Sequence, residues 1–235
     1  MKSRLHGFVI YKQKVRDNMM VVKVFTQENG LQSFWFRPKK GQRPLHGMDE
    51  ISFIDFGDQR EHLHWMKEVE LQNPFHQMDA HPAKAASVLF MQEVLYRLLE
   101  ENDANPPLYF FLQEIMAQLQ SEADVSLIHF VFLIGLMRSA GCCPVPPMQD
   151  PHWFGMEAGE FGFHTPPTKC ISRENHQLKA FIALLKGDYE ELRAAEMLNA
   201  DRRQLLKALI DYLFIQQHKI NQIRSLDIYY ELFHA

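Results

Sequence analysis

A short stretch of the chain, residues 30 to 44 (GLQSFWFRPKKGQRP), combines large aromatic side chains with dense positive charge. The aromatic residues are consecutive, and four cations follow them within seven positions: Phe34, Trp35 and Phe36, then Arg37, Lys39, Lys40 and Arg43. Aromatic planes stack nucleobases with roughly 1–3 kcal/mol per base and little sequence preference, while cations follow the phosphates. The segment therefore predicts contact with a single strand of nucleic acid. The alternative is that Trp35 packs on a helix and the basic loop is only solvated.

The aromatic run lies in a predicted strand, where neighbouring side chains point to opposite faces. Phe34 and Phe36 then share one face, and Leu31, Ser33 and Trp35 share the other. Only one face can fill the core of a small barrel. We therefore expect at least one large aromatic side chain on the outer surface or against the helical part of the chain.

Positive charge is concentrated at the start of the chain, although the net charge is −4. Residues 1 to 43 hold ten Lys or Arg and two acidic residues, which gives +8 there and −12 in the remainder. An asymmetry of this size predicts that the basic part meets a polyanion, with nucleic acid or a membrane surface as the usual candidates. The cations outside the loop come from strands and turns of the same predicted barrel, at positions 2, 4, 12, 14, 16 and 23.

The first eighty residues show short strands separated by turns. Five segments are rich in β-branched or aromatic residues: 4–12, 19–26, 31–37, 50–56 and 62–71. Turn signals such as Asn29-Gly30 and Gly57-Asp58 lie between them. Five strands in this length predict a small closed or nearly closed β-barrel, of which the OB-fold is the commonest kind. An SH3-like barrel has a similar strand count.

From Pro82 the apolar residues follow the helical period. The predicted helices are 82–101, 108–120, 124–139, one from the N-cap Ser172 to Lys186, one from the N-cap Asp188 to Leu198 and one from the N-cap Asp201 to about Gln217. Between the third and fourth helices, residues 142–170 contain six prolines and three glycines and are predicted to be irregular.

These patterns predict an α+β protein of two domains. Residues 1–80 form a five-stranded OB-fold barrel that binds nucleic acid, and residues 81–235 form an α-helical bundle domain with the Pro/Gly-rich insertion at 142–170. No segment reaches the roughly 18 to 20 consecutive apolar residues that span a bilayer, and the first residues lack the apolar segment of a signal peptide. The expected location is the cytoplasm.

Several segments resemble the RecO family of bacterial DNA repair proteins, in the same order along most of the chain. RLHGFVIYKQKVRDN (4–18) resembles the opening strand of the family, and VKVFTQENGLQSF (22–34) resembles its second and third strands. ASVLFMQEVLYRLLEENDANPPLYFFL (86–112) is similar to its first two helices, and KINQIRSLDIYYEL (219–232) is similar to its terminal segment.

The resemblance implies a protein without catalytic activity that works at the nucleoid. Such a protein binds single- and double-stranded DNA, anneals complementary strands and, with RecR, helps to load the RecA recombinase onto strands coated by single-strand DNA-binding protein. The C-terminal tail of that coating protein would dock on the helical domain. No cofactor is implied.

The resemblance also supports particular DNA contacts, with Trp35 as the stacking residue. They are the loop cations and, in addition, cations of the first two strands: Arg37, Lys39, Lys40 and Arg43, then Arg4, Lys12, Lys14 and Lys23. The chain departs from the family in one respect, because its basic loop RPKKGQRPLHG is shorter than usual. This departure points to a lower DNA affinity or to contacts spread over other parts of the barrel.

The histidines and cysteines form no recognisable metal or catalytic pattern. Many RecO relatives carry a four-cysteine zinc site, whereas this chain has three cysteines, and a set of Cys143, His152, His164 and Cys170 would lack a C-x-x-C pair. We therefore expect no metal. Phosphate-loop, zinc-protease and serine-hydrolase motifs are absent from the sequence. Two alternatives stay open: an OB-fold protein that binds RNA, and an enzyme with its site around His152, Trp153 and His164.

Overall fold

The structure, a computed structural model, describes residues 3–16, 18–57, 63–73, 81–121, 124–173, 176–194, 198–220 and 223–226. Within these ranges the chain forms eight strands and six helices. The strands are β1 (Ser3–Arg16), β2 (Met19–Thr26), β3 (Gly30–Phe36), β4 (Glu50–Phe56), β5 (His64–Asn73), β6 (Trp153–Gly155), β7 (Glu160–Gly162) and β8 (Cys170–Ser172). The helices are α1 (Pro82–Leu98), α2 (Pro106–Ser121), α3 (Ile128–Ser139), α4 (Gln177–Lys186), α5 (Tyr189–Ala194) and α6 (Asn199–Gln216). The α+β prediction is confirmed.

The first five strands close into a barrel in which neighbouring strands follow the order β1-β2-β3-β5-β4. All pairings are antiparallel except that of β3 with β5, which is parallel. The ring closes because β1 pairs with both β2 and β4. A closed five-stranded barrel of this kind confirms the OB-fold prediction.

The barrel interior is filled by alternate side chains of its strands. The central cluster consists of Leu5, Val9, Val22, Val24, Phe34, Phe36, Leu45, Ile51, Phe53 and Met66. Phe34 packs edge-on against Phe53, with the ring centroids 4.9 Å apart. Because Phe34 and Phe36 both point inwards, Trp35 lies on the outer face, where it is half-buried. The expectation of one large aromatic residue outside the core is confirmed.

Strand β1 bends so that one strand of 14 residues can pair with two neighbours. Its pairing with β2 shifts register between Val9 and Tyr11, and such β-bulges increase local bending and twist. Gly7 permits the close approach of β2, since a Cβ atom there would lie 2.5 Å from Cγ1 of Val24. The close packing of β1 on β2 at this point therefore requires a glycine.

Helices α1 and α2 belong to the same compact unit as the barrel, together with the described residues 225–226. Phe8 of β1 packs on Tyr109 of α2, with ring centroids 5.3 Å apart, and Gln92 of α1 donates through Nε2 to the carbonyl of Ile10 at 2.8 Å. The predicted domain border at residue 80 stays a prediction, because residues 74–80 lie outside the described ranges.

The second compact unit contains α3 to α6 and a small antiparallel sheet in the order β7-β6-β8. Phe154 of β6 is fully buried, and its ring centroid lies 4.9 to 5.1 Å from those of Phe161, Phe181 and Tyr212. The Pro/Gly-rich insertion was therefore predicted wrongly as irregular throughout. It holds β6, β7 and the start of β8, and one aromatic side chain anchors it to helices α4 and α6.

Two predicted helix starts are also wrong. Ser172 lies in β8 opposite Trp153, because the pairing of Ile171 with Phe154 keeps this segment extended, and α4 begins only at Gln177. Asp201 lies inside the first turn of α6, where its carboxylate suits the positive end of the helix dipole. None of the described helices has the length and apolar content needed to cross a membrane.

Candidate nucleic-acid interface

The loop after β3 is held in a tight turn that exposes two lysines. Gly41 adopts a φ of 80°, which a glycine accommodates without steric cost. The backbone N–H of Gln42 donates to the backbone carbonyl of Lys39 at 3.0 Å. The backbone N–H of Lys39 donates to Oε1 of the Gln42 side chain at 2.9 Å. These two hydrogen bonds close the turn, from which the exposed side chains of Lys39 and Lys40 project.

A cleft of about 860 Å³ lies between this loop and strand β5. We call it the basic cleft; its lining residues are Phe36, Arg37, Lys39, Lys40, Gly41, Gln42, Trp65, Met66, Lys67, Glu68 and Val69. Four of these residues are cations and one is an acid. The cleft therefore presents a positive surface with one aromatic indole in its wall.

The indole in the cleft wall belongs to Trp65 and is backed by a second one. The parallel pairing of β3 with β5 sets Trp35 opposite Trp65, and their ring centroids are 6.2 Å apart with the planes inclined by 33°. The guanidinium carbon of Arg37 lies over the Trp65 ring, 6.0 Å from its centroid. Trp65 thus has Trp35 as a neighbour and a cation over its ring.

Lys67 lies on the same face of β5 as Trp65, and a bulge follows it in the strand. Ile54 of β4 pairs with Lys67 and Ser52 pairs with Glu70, so β5 has one more residue than β4 between these two pairs. Glu68 takes up the difference with a φ of 50°, and bulges of this kind change the direction of side chains. The Lys67 ammonium lies 3.3 Å from the ring centroid of Phe56. This cation–π contact holds the lysine beside the cleft without cancelling its charge.

Arg4 does not line the basic cleft but pairs with acids beside it. Its guanidinium contacts Glu70 at 3.1 Å and Glu68 at 3.6 Å, and it donates to the Ser52 hydroxyl at 3.1 Å. Because Glu68 is the acid that lines the cleft, Arg4 offsets the negative charge there. The sequence predicted Arg4 as a direct DNA contact. In the structure its ion pairs with Glu68 and Glu70 can influence the cleft without Arg4 lining it.

Two further predicted contacts are engaged within the barrel unit. Lys12 donates to the carbonyl of Leu45. Lys23 forms an ion pair with Glu101 at 2.7 Å and lies 5.9 Å from the ring centroid of Tyr96. Neither lysine lines the basic cleft.

The remaining two predicted cations lie near the cleft. Lys14 is exposed. In the sheet it lies opposite Met20 of β2, and Met20 lies opposite Phe36 of β3, which lines the cleft. Two strand spacings separate Lys14 from β3, which is about 10 Å. Arg43 follows the loop and is half-buried. The structure thus brings Arg37, Lys39 and Lys40 together in one cleft, with Lys14 and Arg43 near it in the chain or the sheet.

Trp65 and Lys67 were missed by the sequence reasoning. A signal existed, since the two residues are separated by one position in a predicted strand and share a face. It was not decisive, because only the long-range pairing of β5 with β3 sets that face beside the basic loop.

The structure does not gather a metal site from the cysteines and histidines of the insertion. Across the described residues, no group of three or more His, Cys, Asp or Glu side chains could hold an ion, so the set of Cys143, His152, His164 and Cys170 is not assembled. Burial raises the pKa of the Cys142 and Cys143 thiols, which favours their neutral form.

A closed OB-type barrel with a basic, aromatic-walled cleft, followed in the chain by helices, is typical of OB-fold binding proteins. Within that class, a family model described as "Recombination protein O C terminal" matches residues 81–225 of this chain. The chain belongs to the RecO family. This confirms the resemblance found in the sequence and supports a role in DNA recombination and repair.

Proteins named "DNA repair protein RecO" are similar to this chain over almost its whole length. The one from Flavobacterium johnsoniae is 25% identical over 240 residues, which cover 99% of this chain and 100% of that protein. The one from Bacteroides fragilis strain ATCC 25285 is 27% identical over 243 residues, with the same two coverages. The one from Christiangramia forsetii is 23% identical and covers 97% of both chains.

Proposed function

We propose that this protein is a recombination mediator of the RecO type. It binds single- and double-stranded DNA, anneals complementary strands and, with RecR, assists the loading of RecA onto DNA coated by single-strand DNA-binding protein. The observation that carries the proposal is the basic cleft, which combines Lys39, Lys40 and Lys67 with Trp65 on the barrel of a RecO-family chain. The protein acts by binding, without covalent catalysis, in the cytoplasm at the nucleoid.

Phosphates of the DNA lie along the three lysines of the cleft. Each phosphate that a lysine neutralises releases condensed counterions, and the logarithm of the affinity for single strands falls by about 0.7 per decade of salt for each contact. Three contacts give a slope of about −2. Annealing follows from the same chemistry, because strands with neutralised phosphates repel each other less.

Further contacts extend from the cleft over the barrel. We expect Lys14, near the cleft in the sheet, and Arg43, near it in the chain, to add phosphate contacts. Lys12 and Lys23 are instead engaged within the barrel unit, by Leu45 and Glu101. We expect the helical domain, residues 81–235, to receive the protein partners, RecR and the C-terminal tail of single-strand DNA-binding protein.

The test replaces the three cleft lysines together, as Lys39→Gln, Lys40→Gln and Lys67→Gln. The matched control replaces three exposed lysines of the other compact unit, as Lys169→Gln, Lys186→Gln and Lys207→Gln, so that both proteins lose the same charge. We measure DNA affinity and annealing of complementary oligonucleotides at 50 and 200 mM salt. The cleft variant should bind roughly 10- to 100-fold more weakly at low salt, with a shallower salt slope.

Equal DNA affinity and equal annealing of the cleft and control variants at both salt concentrations would overturn the proposal. An RNA strand of the same sequence serves as competitor, because discrimination between RNA and DNA requires contacts to the 2′-hydroxyl. If RNA displaces the DNA at a much lower concentration than unlabelled DNA does, the protein is an RNA-binding member of the OB class instead.

A further inference from the structure

We propose that the basic cleft distinguishes single-stranded from double-stranded DNA through Trp65, whose indole receives the face of one unpaired base. The lysines of the cleft contact phosphates of either form of DNA. This inference rests on the proposed function and assigns strand selectivity to a residue that the sequence reasoning did not single out.

The first observation is the position of Trp65 between a support and an opening. Trp35 stands 6.2 Å away on the neighbouring strand and restricts the indole on that side. Trp65 also lines the basic cleft, so part of its surface is open to a ligand. A stacking residue that is held on one side has few rotamers to lose, which lowers the entropic cost of binding.

The second observation is the spacing between Trp65 and Arg37. The guanidinium carbon lies 6.0 Å from the indole centroid. A base held between two planes needs about 7 Å, which is twice the base step of roughly 3.4 Å along a strand. Since Arg37 is exposed, a shift of about 1 Å would admit a base between the guanidinium and the indole.

The third observation is the charge around the indole. Lys39, Lys40 and Lys67 share the cleft with Trp65, so phosphates on either side of a stacked base meet cations. The volume of about 860 Å³ is within the range of pockets that bury a small ligand, and a nucleotide is a ligand of that size. The cleft is therefore a site for one or two nucleotides of a continuous strand.

Duplex DNA cannot make the same contact at the same cost. Its bases are stacked on each other, so an aromatic face reaches a base only after unpairing and unstacking. Phosphates are equally accessible in both forms. A site of three lysines and one indole thus binds both forms through charge and gains stacking only with a single strand.

The test compares Trp65→Leu with Trp65→Tyr, which keeps an aromatic face. Affinity is measured for one oligonucleotide and for the duplex of the same length. Trp65→Leu should lower the affinity for the single strand about tenfold, and its effect on the affinity for the duplex should be at least five times smaller. Trp65→Tyr should keep both affinities within about threefold of the parent. Thermal unfolding of both variants verifies that they fold.

Tryptophan fluorescence gives an independent measurement. The chain has three tryptophans, and stacking on Trp65 should quench part of the emission with a single strand but not with a duplex. The quenching should disappear in Trp65→Tyr. A Trp65→Leu variant that folds and loses both forms of DNA equally, or neither, overturns the selectivity inference.

The lysine variants separate this failure from that of the proposed function. If the triple lysine variant loses affinity for both forms while Trp65→Leu shows no selectivity, the cleft binds DNA but Trp65 does not discriminate. If the triple lysine variant binds both forms like the control variant, the cleft is not the DNA site and both proposals fail.

Discussion

Trp35 and Trp65 lie opposite each other on β3 and β5, the parallel pair of strands in the barrel, with their ring centroids 6.2 Å apart. The pair joins residues that are thirty positions apart in the sequence. One member, Trp65, lines the basic cleft, and the other stands beside it. The pairing of β3 with β5 therefore also positions the aromatic wall of the candidate site.

Trp35 should act on DNA binding through Trp65. We expect Trp35→Ala to lower the free energy of unfolding by about 1–3 kcal/mol, because it removes a half-buried aromatic contact. The same change should weaken single-strand binding, although Trp35 is not among the cleft-lining residues, whereas Trp35→Phe should restore most of both. Denaturant unfolding and oligonucleotide binding measure the two effects. Unchanged DNA affinity in a destabilised Trp35→Ala protein would show that Trp35 has no positioning role.

Arg4 should influence DNA binding by offsetting Glu68 and Glu70. We expect Arg4→Ala to weaken DNA binding about two- to fivefold at low salt, since it leaves two exposed carboxylates beside the cleft. Adding Glu68→Gln and Glu70→Gln should restore the affinity. Binding titrations of the four proteins in this cycle measure the coupling. If Arg4 contacts phosphate directly, as the sequence predicted, Arg4→Ala will cost the same affinity with and without the two glutamates.

The barrel could be predicted from the sequence because its signals are local. Alternation around Phe34 and Phe36 and the Asn29-Gly30 turn indicate strands without knowledge of any partner. The same holds for the tight basic loop, whose glycine stands next to Lys40. Three of the predicted contacts, Arg37, Lys39 and Lys40, consequently line the cleft.

The remainder of the site depends on pairings between distant strands. Three features of the site involve residues far apart in the chain. They are the register of β3 with β5, the bulge of β5 opposite β4 at Glu68, and the ion pair of Lys23 with Glu101. Periodicity carries no information about such pairs. For the same reason, Ser172 has the type of an N-cap residue but lies in a strand, because Ile171 pairs with Phe154.

A buried polar group links the barrel to α2 and should matter for stability. Glu50 is buried and accepts hydrogen bonds from the Tyr109 hydroxyl at 3.0 Å and from Nε2 of Gln113 at 2.5 Å. Burial, followed by the charge of Glu50, raises the pKa of Tyr109, so its hydroxyl remains a donor. We expect Tyr109→Phe to lower the free energy of unfolding by about 1–3 kcal/mol, because it removes a hydrogen bond to a buried carboxylate. Denaturant unfolding measures this loss. The control Tyr189→Phe, at an exposed tyrosine, should leave the free energy of unfolding almost unchanged.

His129 in α3 should make the second compact unit sensitive to acid. Complete burial lowers the pKa of His129 to about 3, whereas an unfolded histidine titrates near 6.5. Below pH 6.5 the unfolded chain therefore gains a proton that the folded chain excludes, and the free energy of unfolding falls by up to about 1.4 kcal/mol per pH unit until pH 3. Above pH 6.5 this loss is absent.

Replacement of the buried imidazole should remove part of that pH dependence. We expect His129→Leu to flatten the fall in the free energy of unfolding between pH 7 and pH 4.5 by about 2.5 kcal/mol relative to the parent, because leucine cannot take up a proton in either state. Denaturant unfolding at the two pH values measures the difference, and the carboxylates that titrate in both proteins cancel in it. His152→Gln, at an exposed histidine, is the control and should keep the parent slope. If the free energy of unfolding falls by the same amount in His129→Leu and in the parent, His129 is protonated equally in the folded and unfolded states, and the prediction is wrong.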